Sequence, residues 1–462
     1  MFGVKQKNIK QESIQLDVDS VWYADLQKSK QQLAKVSPTF CLAKWLQVTL
    51  HLHQAKTHSC HHPLSHSILP SDIAQNPSGL HNTQQKLLER KAMLNGEQPK
   101  PCEYCWNIEN SKVDAMSDRV MKSSSEYFYP YANKVIQSGL GERINPTYVE
   151  VSFSHLCNFK CSYCSADYSS KWQQEIEKHG AYSTHNGQQT VSLIDEENNQ
   201  YIEAFWKWWP DLKNSLRVFR ITGGEPLLSK NTWKILEQLE QDPAPHLELA
   251  INTNLGVSTD LIEKLIFKCR SLLEKNKINK LKIYTSIDAY GEAAEYIRHG
   301  LNFQLFLKHV HLLLQSLPQL EMSIMSTYSA LSVVSYTKLL QEVYKIRQQY
   351  INEFRQKPLG ISTSYLRYPE HLSVKVLNPN KILAMQESLN YMQEKLFDEA
   401  HHPAGFTEYE INAMKNLISW FEMAIDQNIK NKLIENFKSF YREHDHRRQT
   451  DVSRWLEQQE LF

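Results

Sequence analysis

The stretch Cys157-Asn158-Phe159-Lys160-Cys161-Ser162-Tyr163-Cys164 decides how this chain is read. It comes just after Tyr148-Val149-Glu150-Val151-Ser152-Phe153, an apolar, β-branched run that predicts a strand. The spacing brings three thiolates around one small volume beyond that strand's end. A cubane iron–sulfur cluster usually takes four thiolates. Three from one loop leave one iron open to chelate a small molecule, and such a cluster is built for chemistry, not only for electron transfer. Buried free cysteines and three ligands of a zinc site are the competing readings, although zinc sites more often pair C-x2-C units with a fourth ligand.

A second motif closes the next predicted strand, Arg217-Val218-Phe219-Arg220-Ile221-Thr222: it is Gly223-Gly224-Glu225-Pro226. Glycines let backbone approach a ligand with no Cβ in the way. Glu225 adds a carboxylate and Pro226 stiffens the exit. Together the two motifs resemble those of the radical S-adenosylmethionine (SAM) enzymes, over about Pro146 to Pro369. The resemblance implies that Cys157, Cys161 and Cys164 hold a [4Fe–4S] cluster whose open iron binds SAM. It places Tyr163 near the adenine, and Gly223, Gly224 and Glu225 at the methionyl amine. One electron from the cluster then cleaves SAM to methionine and a 5′-deoxyadenosyl radical, which takes hydrogen from a substrate.

The middle of the chain alternates strand and helix. Apolar runs at 148–153, 217–222, 248–253, 280–287, 320–327 and 359–367 are separated by helical periodicity, as in Thr259–Lys275, Phe303–Leu317 and Val334–Tyr350. Strands joined through helices predict a parallel sheet in an α/β fold. The resemblance makes it the partial (β/α)6 radical SAM barrel. Active sites of such folds form at the carboxyl ends of strands. Other strand ends are therefore candidates for SAM: Asn252 in Asn252-Thr253-Asn254, Ser286 and Asp288 for ribose and carboxylate, and Arg298 for the carboxylate. Each of these also reads as a turn, a cap or a solvated helix end.

Upstream lies a separate cysteine group. Cys41 precedes the alternating run Val48–His53, which with His58-Ser59-Cys60-His61-His62 reads as a β-hairpin with a cysteine at its far end. A helical segment, Thr83–Leu94, and a Gly96 stop lead to Cys102-Glu103-Tyr104-Cys105. Cys41, Cys60, Cys102 and Cys105 are enough ligands for a second [4Fe–4S] cluster or a zinc ion. The block is similar to the auxiliary-cluster module of twitch-type radical SAM proteins, relatives of the SPASM group, here placed before the barrel. Cys269, inside a predicted helix, reads as core.

The expected organisation is an N-terminal twitch-like module at 1–145, the barrel at 146–370 and a helical extension at 371–462. That extension carries a basic run, His446-Arg447-Arg448, which reads as a phosphate or carboxylate contact or a solvated face. The Phe205-Trp206-Lys207-Trp208-Trp209 run reads as packing. A net charge of +1 over 462 residues supplies no field for a long nucleic acid. Met1–Lys7 carries no apolar signal region and no stretch reaches the length of a membrane span, so the expectation is a cytoplasmic protein without a membrane partner. The resemblance adds a flavodoxin- or ferredoxin-type electron donor and points to a peptide or protein side chain as substrate. A nucleoside, a transfer RNA or another small molecule is the alternative, as is an inactive metal-binding scaffold.

Overall fold

All six apolar runs form strands, the expected hairpin gives two more, and the computed structural model adds three of two residues each among the described residues, which are 25–111, 116–138, 143–184, 193–352 and 357–456. Met1–Lys7, read above for a signal region, lies outside them. In chain order the strands are β1 (Gln47–His51), β2 (Lys56–His58), β3 (His66–Ser67), β4 (Tyr148–Ser152), β5 (Lys160–Cys161) and β6 (Val218–Thr222). They continue as β7 (Ala244–Thr253), β8 (Ile278–Thr285), β9 (Arg298–His299), β10 (Glu321–Tyr328) and β11 (Leu359–Tyr365). The chain packs as two compact units. The first holds Met1–Phe153, Ile194–Arg220 and His246–Glu248, and the second holds the remainder, so β6 and β7 belong to both.

In the first unit the strand order is β3-β2-β1-β4-β6. The expected hairpin forms: β1 runs antiparallel to β2, with Thr49 opposite His58. A short 3-10 turn at Leu52–Gln54 and Ala55 at φ 53° reverse the chain. β1 also pairs in parallel with β4, Thr49 opposite Glu150, a partnership that the alternating pattern did not announce. Alternation suggests a strand with one wet face, yet every residue of Gln47–His51 is buried. One core gathers Phe40, Trp45, Trp106 and Tyr129. On another face Phe205 packs against Phe153 at 5.1 Å and Trp209 against Phe219 at 5.1 Å, so the aromatic run is packing. The helix Gln84–Leu94 starts where the Thr83 side chain accepts the Lys86 N–H and ends before Gly96, at φ 81°.

In the second unit the order is β6-β7-β8-β10-β11. Met322 pairs with Leu359, and Glu321 with Lys282, in parallel ladders. The architecture is thus α/β with a mostly parallel sheet. Helix Thr259–Glu274 buries Ile262, Leu265, Ile266, Cys269 and Leu272, one apolar face at helical spacing. Cys269 is completely buried there, as a core residue. Three C-terminal helices follow at Ile382–Glu394, Glu408–Glu422 and Gln427–Arg448. The last ends on the basic run, and Arg448 is no solvated residue: its guanidinium bonds Glu175 at 3.0 Å and the Lys160 carbonyl at 2.6 Å. Among the described residues no helix is long and apolar enough to cross a membrane.

Candidate functional site

Strand β4 delivers the chain to the cysteine loop, and glycines elsewhere make room for that loop to fold. A Cβ on Gly256 would lie 2.1 Å from the Phe159 ring, and one on Gly300, at φ 111°, would lie 2.9 Å from it. Phe159 is buried between them, and its backbone N–H points at the Cys157 sulfur at 3.5 Å. The next residues form β5, which pairs antiparallel with β9, Cys161 opposite Arg298. Ser162 N–H donates to the Ile297 carbonyl at 2.8 Å, and the Trp172 indole donates to the Cys161 carbonyl at 2.8 Å. Burial and the neighbouring Cys161 push the Cys157 thiol up to about 12. Burial and both other cysteines raise Cys164 as well. Ligands must be thiolates, so loading this loop with metal releases protons.

The Gly-Gly-Glu-Pro turn is fastened to the same loop. Gly224 N–H donates to the Ser154 carbonyl at 3.1 Å and Glu225 N–H to the Leu156 carbonyl at 2.6 Å. The approach is too close for a side chain: a Cβ on Gly224 would lie 2.3 Å from the Leu156 carbonyl oxygen. Glu225 is 1% exposed, and its carboxylate accepts the backbone N–H groups of Leu227 at 3.0 Å and Asn254 at 2.6 Å. Burial nevertheless pushes its pKa up to about 7. A carboxylate accepts about four hydrogen bonds, so capacity remains beyond these two. Asn254 ties three parts together. Its side chain donates to Asn158 at 2.8 Å and faces the Cys157 sulfur at 3.9 Å. The sequence reading chose Asn252, which remains in β7 half-buried; the first residue past the strand carries these contacts.

The third group gathers on Cys161. Asp288, completely buried, accepts from Arg298 Nε at 2.8 Å, Arg298 Nη2 at 3.2 Å, the Tyr163 hydroxyl at 2.8 Å and the Thr327 N–H at 2.7 Å. Arg298 Nη2 also donates to the Tyr163 hydroxyl, and Nη1 faces the Cys161 sulfur at 3.6 Å. Tyr163, Asp288 and Arg298 are therefore brought together as the strand-end reading required. Their partners differ from that reading, because the carboxylate and the guanidinium fork are engaged with each other. Ser286 follows β8 half-buried.

In the first unit, Cys41, Cys60, Cys102 and Cys105 line one small cavity, about 20 Å³, with Lys44, Ser59, Arg119 and Lys122. Cys41 begins the helix Leu42–Leu46, Cys60 follows β2, and Cys102 and Cys105 flank the start of Glu103–Glu109. Burial pushes Cys102 up to about 11 and Cys105 up to about 12. His62 bonds Asp118 at 2.6 Å and stacks on Tyr104 at 3.8 Å. Lys44 is buried on Glu89 at 2.5 Å. The Ser59 hydroxyl, in a residue 2% exposed, has no hydrogen-bond partner among the described residues.

The donor set of the second unit's loop fits an iron–sulfur cluster. Among the described residues no three His, Cys, Asp or Glu side chains gather to hold a single metal ion. N–H groups aimed at Cys157 and Cys161 suit cluster thiolates, whose charge such donors offset. In the first unit a partnerless buried hydroxyl lies beside four thiols, a donor suited to thiolates of a cluster or of a zinc ion alike.

Residues 151–325 match the radical SAM superfamily. The GTP 3',8-cyclase of Sulfurimonas denitrificans is 27% identical over 119 residues, 26% of this chain and 30% of that protein. Its counterpart from Nautilia profundicola is 31% identical over 107 residues, 23% and 27% of the two chains. The chain thus spans about three tenths of the length of these curated relatives. Among solved structures, Streptococcus suis SuiB bound to precursor peptide SuiA aligns at 11% identity and TM-score 0.36, covering 82% of this chain and 75% of that one. SuiB bound to S-adenosylmethionine aligns at 12% identity and TM-score 0.33, over 72% and 75%.

Proposed function

We propose that the chain is a radical SAM enzyme that removes hydrogen from a peptide or protein side chain. The observation that carries the reading is the second unit's loop, where three cysteines, the Gly-Gly-Glu turn and the Tyr163–Asp288–Arg298 group are joined by hydrogen bonds. Cys157, Cys161 and Cys164 would hold the cluster, with Tyr163, Gly223, Gly224, Glu225, Asn252, Ser286 and Asp288 around SAM and Arg298 beside Cys161. When bound, the [4Fe–4S] cluster and SAM supply one-electron cleavage to a 5′-deoxyadenosyl radical. The chain's part is to leave one iron without a protein ligand, to present the Glu225 carboxylate to an amine, and to exclude water. Nearly complete burial of Glu225 and Asp288 serves that last role.

Cys41, Cys60, Cys102 and Cys105 would hold an auxiliary [4Fe–4S] cluster within the 1–145 module, ahead of a barrel at 146–370 and a helical extension at 371–462. Their shared cavity supports this over scattered core thiols. The peptide preference follows from that module. A flavodoxin- or ferredoxin-type donor and a cytoplasmic setting complete the proposal. A nucleotide substrate is the second reading, favoured by the cyclase relatives across the matched segment.

Anaerobic reconstitution with SAM and dithionite tests the core reading. We expect 5′-deoxyadenosine by mass spectrometry; none from an iron-loaded protein overturns it. Adding peptides or nucleotides separates the substrates: a mass loss of hydrogen on a peptide supports the first, a changed nucleotide the second.

A further inference from the structure

We propose that Arg298 is a positioning residue that acts on the radical cluster through the Cys161 thiolate, and not a ligand of the SAM carboxylate. The inference rests on the radical SAM reading of the second unit's loop.

Backbone fixes the relationship before any side chain does. β5 and β9 set Cys161 opposite Arg298, and the Ser162 N–H to the Ile297 carbonyl at 2.8 Å locks the register. The left-handed Gly300, at φ 111°, turns the chain away immediately afterwards. Arg298 is 6% exposed, so its guanidinium has little freedom to swing outward.

Guanidinium recognises a carboxylate by presenting two parallel N–H groups. In Arg298 that fork is occupied: Nε and Nη2 lie 2.8 and 3.2 Å from the Asp288 oxygens. Asp288 is itself held by the Thr327 N–H at 2.7 Å and the Tyr163 hydroxyl at 2.8 Å, so exchange for another carboxylate would strand a completely buried charge. The remaining nitrogen, Nη1, faces the Cys161 sulfur at 3.6 Å.

A cation beside a ligating thiolate favours the more negative state of the cluster. Net charge and hydrogen bonds to sulfur are among the factors that set such potentials. Arg298 should therefore make the cluster easier to reduce by one electron, while Asp288 and Tyr163 hold the guanidinium in place.

The test uses the full chain, reconstituted anaerobically, as wild type, Arg298→Gln and Arg298→Lys. Midpoint potential is read by electron paramagnetic resonance during a redox titration without SAM, following the signal that SAM perturbs. SAM affinity is read separately by equilibrium binding. We expect the midpoint to become more negative in Arg298→Gln, to lie nearer wild type in Arg298→Lys, and SAM affinity to stay within about twofold in Arg298→Lys. A tenfold or greater loss of SAM affinity in Arg298→Lys with an unmoved midpoint makes Arg298 a carboxylate ligand and overturns the proposal. If Arg298→Gln loses its iron, the lysine variant decides alone: a midpoint shift with SAM affinity kept supports the inference, and an unmoved midpoint ends it. A wild-type protein without a SAM-perturbed signal would instead break the radical SAM reading beneath it.

Discussion

The two cysteine sites are assembled in opposite ways. In the second unit, three thiols come from a single loop, and distant residues are added around them: Glu225 and Asn254 beside Cys157, Arg298 on Cys161. In the first unit, four thiols come from three separate segments and meet only because the helix Leu42–Leu46, the β1–β2 hairpin and the helix Glu103–Glu109 pack together. A loop-borne site can be fixed by spacing, because few torsions separate its ligands. A dispersed site depends on the whole packing of its unit. Loss of metal should therefore disturb the first unit more than the second.

The strongest way to break this comparison is to empty each site in turn. Changing Cys157, Cys161 and Cys164 to Ala should remove half of about eight irons per chain, and all SAM cleavage with it. Changing Cys41, Cys60, Cys102 and Cys105 to Ser should remove the other half and end substrate turnover while sparing SAM binding. Iron analysis and isotherms decide; cleavage that survives the triple change sinks the radical assignment. Unaltered iron in the quadruple variant would leave those cysteines as core.

A second experiment asks whether the loop's order is borrowed from the C-terminal helix. Arg448 is buried on Glu175, and both approach β5. Arg448→Met takes one cation from a buried carboxylate that keeps Lys160, so the loss should fall below the about 3–5 kcal/mol of breaking a buried pair outright. Thermal or denaturant unfolding should register that loss, and cysteine alkylation in the metal-free protein should speed up at Cys161. Equal rates in the two proteins would mean the loop holds itself.

Glu225→Gln sharpens the role of the Gly-Gly-Glu turn. Charge-assisted bonds to an amine contribute roughly 1.5–3 kcal/mol, about ten- to over a hundredfold in SAM affinity. The backbone N–H groups of Leu227 and Asn254 also depend on this side chain, so a small loss of stability should accompany it. Unchanged SAM affinity would assign Glu225 to the turn alone.

The smallest effect is one of pH. Burial raises the Glu175 carboxyl, but Arg448 and Lys160 outweigh it and hold its pKa down to about 2. A lowered carboxyl stabilises the fold above its unfolded value, about 4.3, and that contribution disappears as pH falls through the folded one. The stability gap between wild type and Glu175→Gln should narrow from about pH 5 toward pH 2. A gap that stays constant across that window would mean the ion pair adds nothing.

The sequence alone determined the six main strands, the helices between them and the placement of both motifs past strand ends. Period and spacing are local properties, and here local propensity agreed with the fold. Sequence also singled out the three cysteines of the loop and the four that line the first unit's cavity, because their grouping is a local pattern. Three things waited for tertiary structure. β1 joined β4 because both its faces are buried, which alternation cannot express. Asn254 met the cysteine loop because the strand ends at Thr253 and its next residue reaches Asn158. Arg448 of the basic run closed on Glu175 rather than facing solvent, because a helix from the far end of the chain packs on the cysteine loop. Spacing fixes what lies within a few bonds; only packing decides which distant charges meet.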